Sequence, residues 1–159
     1  MSAEAYSCRA VLVDLFVPGS PGTAGSKHGR PIYRGKKGEP KVFTGKVAMV
    51  ESAGEKTKTW REDIRQAVLH LYAGRPASGL AMSVTLEFVL RRPLSTPKTF
   101  TPPAIKKPDQ DKLTRAVFDA ITSTGCVWLD DAQVTHSVVD KRLAEIGEAT
   151  GCRIRIEAG

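Results

Sequence analysis

Cysteine is scarce and scattered in this chain. The three residues, Cys8, Cys126 and Cys152, are far apart in sequence. No two have the close spacing of a zinc knuckle, and the odd count argues against a disulfide framework. They read as reduced thiols, which places the protein in the cytosol, a cytoplasmic localisation. Long apolar runs are missing as well. No stretch approaches the roughly 18 residues of a membrane span, so no membrane partner is expected. The opening MSAEAYSCRA lacks a basic segment followed by an apolar run and is not expected to be a signal peptide. Histidine is sparse too. His28, His70 and His136 stand apart, none beside a run of acids, and none reads as a general base.

Acids are outnumbered. Against 24 Lys and Arg there are 17 Asp and Glu, a formal charge of +7, and the isoelectric point is near 9.5. Polyanions are the partners such a charge favours. The length, 159 residues, suits one domain spanning 1–159. A chain of that size buries roughly 70% of its unfolded surface and needs no covalent staples.

Ala10–Val17 reads as a first strand. From about 18 to 46 the chain is rich in glycine and base, with Lys27, Arg30, Arg34, Lys36, Lys37, Lys41 and Lys46 against one acid, Glu39, over its second half. It reads as a basic flexible loop, with short β pieces around 31–34 and 41–43 and with Tyr33 and Phe43 interleaved. Either it is simply solvated or it contacts phosphates and orders on DNA. A helix is expected over 57–72, with a Thr59–Glu62 capping box and an apolar face of Trp60, Ile64, Ala67, Val68 and Leu71. Trp60 reads as core rather than as a base-stacking platform. Residues 81–90 alternate strictly, the pattern of a strand with one buried face. Residues 91–108 hold five of the ten prolines and several bases. They read as a second basic loop, with Phe100 pinning it. A second helix is expected over 111–122, ended by Gly125, and strands over 134–143 and 152–157.

Between Lys106 and Val134 runs KKPDQDKLTRAVFDAITSTGCVWLDDAQV. Asp109 and Asp111 sit one residue apart, and Asp130 and Asp131 are adjacent. Clustered carboxylates in a cationic chain need a reason to coexist, and a bound Mg²⁺ is the simplest. That combination suggests phosphodiester chemistry on nucleic acid. Pro108 precedes the first pair and the helical repeat starts at Leu113, so both aspartates are expected in an extended lead-in, aimed to one side. The alternative is structural: one of the first pair caps the helix, and the second pair forms a turn. Arg115 could steady a phosphate oxygen or pair with Asp119 on the helix surface. A metal-activated water is the expected nucleophile.

This segment resembles the RusA family of Holliday-junction resolvases. The family pattern is D-x-D-N-L-x-K, F-D-A-L, a glycine, then W-L-D-D-x-Q-V. It is met by Asp109, Asp111, Leu113, Phe118-Asp119-Ala120, Gly125, Trp128-Leu129-Asp130-Asp131 and Gln133-Val134. Lys112 stands where the family has Asn, and Arg115 where it has Lys. The resemblance implies a small α+β domain, one mixed sheet packed with two main helices, assembled as a homodimer. It implies Mg²⁺-dependent resolution of four-way DNA junctions by paired symmetrical nicks, with Mn²⁺ as a possible substitute and no small-molecule cofactor. Carried over by position, Asp109, Asp111 and Asp131 would be the metal-binding catalytic acids, with Asp130 auxiliary. Arg115 would stabilise phosphate charge. Lys27, Arg30, Arg34, Lys36, Lys37, Lys106, Lys107 and Lys112 are the expected DNA contacts. The rival functions are a non-catalytic nucleic-acid-binding module and a flap or duplex nuclease of the same fold.

Overall fold

The computed structural model describes residues 9–25, 27–51 and 54–159. Its elements in order are β1 (Ala10–Pro18), β2 (Lys27–Arg34), β3 (Val42–Glu51), α1 (Glu55–Tyr72), β4 (Met82–Leu90), α2 (Gln110–Thr122), a 3₁₀ turn at Asp131–Gln133, β5 (Val134–Leu143) and β6 (Gly151–Ala158). Four strands form one mixed sheet in the order β1-β6-β4-β5. Only β4 and β5 are parallel. A parallel pair needs a long crossover, and α2 supplies it. The result is a small α+β domain.

The alternation in the strands decides what is buried. Met82, Val84, Leu86, Phe88 and Leu90 of β4 turn inward with Val13, Leu15 and Val17 of β1 and Cys152, Ile154 and Ile156 of β6. Trp60, Ile64 and Val68 of α1, and Leu113, Ala116, Val117, Ala120 and Ile121 of α2, join them in one core cluster. Each such large side chain contributes about 1.5–3 kcal/mol by leaving water. An ion pair from Arg61 to Asp119, 2.7 Å, joins the two helices at the surface. Cys126 and Cys152 are buried free thiols, and burial pushes the Cys152 pKa up. Cys8 lies outside the described residues. Among the described residues no helix is long and apolar enough to cross a membrane.

Three local expectations need correction. The stretch read as a loop over 18–46, with short β pieces around 31–34 and 41–43, holds those pieces within the longer strands β2 and β3, which pair as an antiparallel hairpin reaching Glu51. Its glycines and prolines hid the strands' full length, and cross-strand pairing supplies what local propensity withholds. Helix α1 starts before its expected beginning, at Glu55. Thr59 is therefore interior, its hydroxyl donates back to Glu55 O (3.1 Å), and no capping box forms; Gly54 takes the cap position without a side-chain bond. Leu71, in the last turn, faces out rather than in. The proline-rich stretch 91–108 carries no regular element. Arg92 holds it by donating to Thr101 Oγ1 (2.5 Å), Phe100 O (2.7 Å) and the Pro97 carbonyl.

Candidate active site

Helix α2 is the platform of the site. Pro108, whose peptide with Lys107 is cis, precedes Asp109, which takes the N-cap position in an extended conformation without a side-chain cap. The helix proper begins at Gln110, so Asp111 is in its first turn rather than in an extended lead-in. Asp109 is thus extended and Asp111 helical, so the two do not share one extended lead-in. Asp109 turns to Lys112, 3.3 Å away. Asp111 instead faces a cleft of about 380 Å³ between α2 and β5, lined also by Thr114, Arg115, Asp131 and Ser137.

Asp130 and Asp131 separate as well. Asp130 caps the 3₁₀ turn: its carboxylate accepts from Ala132 N at 2.8 Å. Asp131, one residue on, lines the cleft with Asp111. Arg115 lies in the same cleft and makes no ion pair with Asp119, which is held by Arg61. Of the five acidic and basic residues expected to do chemistry, the fold therefore brings together Asp111, Asp131 and Arg115. It pairs Asp109 with Lys112 and gives Asp130 to the turn.

The fit to a metal follows from this. Among the described residues no three His, Cys, Asp or Glu form a ligand group, so the protein alone builds no closed cage. Mg²⁺, however, is commonly held by one or two carboxylates and completed by water and substrate phosphates. Two carboxylates on an open cleft, with a guanidinium beside them, suit that mode.

Two supporting residues have roles that local sequence did not give; Gln133 entered only as part of the family pattern, and Lys141 was not singled out. Gln133 accepts from Leu129 N (2.7 Å) and Asp130 N (3.1 Å), and donates to Ser78 O (2.9 Å) and Leu80 O (2.8 Å). It ties the turn carrying Asp131 to the segment before β4. Lys141 donates to Lys106 O and Pro108 O, both at 3.0 Å, and so fixes the chain just ahead of Asp109. The strand alternation could have revealed Lys141, since it shares parity with Val139, which lines the cleft. Trp128, fully buried, anchors the same return segment, with its indole N–H donating to Thr122 Oγ1 (2.7 Å) and its ring edge-on to Phe118.

The expected DNA contacts fall in two places. Lys106 and Lys107 are exposed in the segment that leads into α2 and line a separate pocket with the proline-rich loop, and Lys112 pairs with Asp109. Arg30, Arg34, Lys36 and Lys37 are exposed on the hairpin; the Lys27 side chain lies outside what is described.

Comparison with curated proteins gives no match. A family model, that of endodeoxyribonuclease RusA, matches residues 28–157, a span that takes in every element from the hairpin to β6. The chain belongs to the RusA family of endodeoxyribonucleases, hydrolases acting on the phosphodiester bonds of DNA.

Proposed function

We propose that this protein resolves four-way DNA junctions by paired symmetrical nicks, in a Mg²⁺-dependent reaction carried out by a homodimer. The observation that carries the reading is the meeting of Asp111, Asp131 and Arg115 on one open cleft in a chain of this family. Asp111 and Asp131 would hold Mg²⁺, which when bound polarises a phosphoryl oxygen and activates water. Asp109 is a reserve ligand, available when Lys112 turns from it to DNA phosphate. Asp130 acts as a positioning residue through the turn it caps. Arg115 places its guanidinium against a non-bridging phosphate oxygen, where an interaction that strengthens as charge builds lowers the barrier. Lys106, Lys107 and Lys112 neutralise backbone phosphates from the segment leading into α2 and its first turn. Arg30, Arg34, Lys36 and Lys37, with Lys27, do so from the hairpin.

The test is a gel assay with a synthetic four-way junction, a fork and a linear duplex, with and without Mg²⁺. Symmetrical nicking of the junction alone, and only with Mg²⁺, is the expected result. Preferential cutting of fork or duplex would favour a flap or duplex nuclease. Binding without cutting in Mg²⁺ or Mn²⁺ would leave a nucleic-acid-binding module.

A further inference from the structure

The β2–β3 hairpin is unusual in what it exposes. Among the described residues it is barely in contact with the sheet or the helices, so it has no core to feed. Yet Tyr33 and Phe43, paired directly across its strands near the tip, are 54% and 49% exposed, with ring centroids 5.8 Å apart. Thr44 bridges the register shift just behind them, its hydroxyl donating to Ile32 O (2.8 Å). The two rings are thus held side by side at the end of a projecting ribbon. Arg34, Lys36 and Lys46 share their groove with one acid, Glu39, and Lys37 and Lys41 are exposed in the adjoining turn. A shallow groove of about 940 Å³ runs along this face, lined by both rings, Arg34 and Lys46.

Exposed rings among cations are how proteins hold unpaired bases, with stacking on the ring and the charges on the backbone. An intact duplex cannot satisfy such a pair, because its base faces are already stacked. A branch point can, because bases there are free to leave the stack. We propose that the Tyr33–Phe43 pair stacks on an unstacked base at the branch point of the DNA, so that the hairpin recognises branching while the cleft on α2 cuts. The inference rests on the proposed function, since it assumes that branched DNA is the substrate.

The first test needs no substitution. A four-way junction carrying 5-iodouracil at the branch point, irradiated in complex with the full-length protein in Ca²⁺, is expected to crosslink to Tyr33 or Phe43 when mapped by mass spectrometry. Crosslinks confined to other side chains, such as Phe100, would overturn it. The second compares affinities for junction and linear duplex. The double change Tyr33→Leu, Phe43→Leu keeps the hairpin apolar but removes both rings. It is expected to weaken junction binding by about tenfold or more, from stacking worth about 1–3 kcal/mol per base, while duplex affinity moves less than twofold. Tyr33→Phe should bind like the parent. Equal losses on both DNAs, or none, would mean that the rings only brace the hairpin. A changed mass by light scattering would mean that they join two copies, and either result overturns the inference. Failure of the unaltered protein to nick the junction would instead count against the proposed function, and is read separately.

Discussion

Arg115 is the residue where two readings of one side chain diverge most. On a bare helix surface its natural partner is Asp119, four residues on, a pairing worth about 0.2–0.5 kcal/mol. The fold removes that partner by giving Asp119 to Arg61 and leaves Arg115 in the cleft with Asp111 and Asp131. Arg115→Ala is therefore expected to slow single-turnover cleavage on the order of 10²-fold, with junction affinity and thermal midpoint little changed. Arg115→Lys should restore much of the rate, because the charge is kept. A drop under threefold for Arg115→Ala would return the residue to a surface role. Gln133 is a residue-scale case of the opposite kind, where position serves the chemistry indirectly. Gln133→Ala removes four hydrogen bonds, each worth about 0.5–1.5 kcal/mol net. It is expected to lower stability by roughly 2–6 kcal/mol in urea titrations and to slow cleavage by loosening the turn that carries Asp131. The aspartates were legible as residues but not as a geometry. Their spacing suggested one pair in an extended lead-in, whereas the helix starts at Gln110 and leaves only Asp109 extended.

At the scale of elements, periodicity carried most of what could be read. The apolar repeat of α2, the alternation of β4 and the bounds of β5 all follow from it. The hairpin did not, because Gly29, Pro31, Gly35 and Gly38 read as breakers, while the pairing that makes them strands is long-range. What Gln133 and Lys141 hold was hidden for the same reason: their partners, Ser78 and Lys106, are distant in sequence. The end of α2 depends on Gly125, whose φ of +65° suits glycine. Gly125→Ala should cost about 1 kcal/mol, measured as a lowered urea midpoint. On β5, Arg142 bonds Glu87 and Glu148 together. The Arg142 guanidinium, helped by the Glu145 N–H, draws the Glu148 pKa down from 4.5 to about 2. A depressed carboxylate stabilises the fold above its unfolded pKa and stops doing so as pH falls through its folded one. Part of the acid sensitivity between about pH 4.5 and 2 should therefore vanish in Glu148→Gln, seen as a flatter plot of melting temperature against pH over that window. An unchanged slope would contradict the assignment.

For the molecule as a whole, charge and symmetry set the expectations. A chain of +7 with exposed bases on the hairpin and ahead of α2 is expected to meet a polyanion at both places. Two symmetrical nicks need two cleavage centres facing opposed strands, so the working species is expected to be a two-fold dimer. Light scattering at micromolar concentration should give twice the monomer mass, and a fully active monomer would contradict this. The account turns, however, on one cleft doing the cutting, and the cleft's two carboxylates test that most directly. Asp111→Asn and Asp131→Asn should each abolish junction nicking in Mg²⁺ while keeping junction binding, since removing a carboxylate also relieves repulsion with phosphate. Asp130→Asn, which keeps a capping oxygen on the turn, should nick within a few-fold of the parent. If either cleft variant nicks at near the parental rate in single-turnover Mg²⁺ assays, that residue holds no metal and the central claim fails.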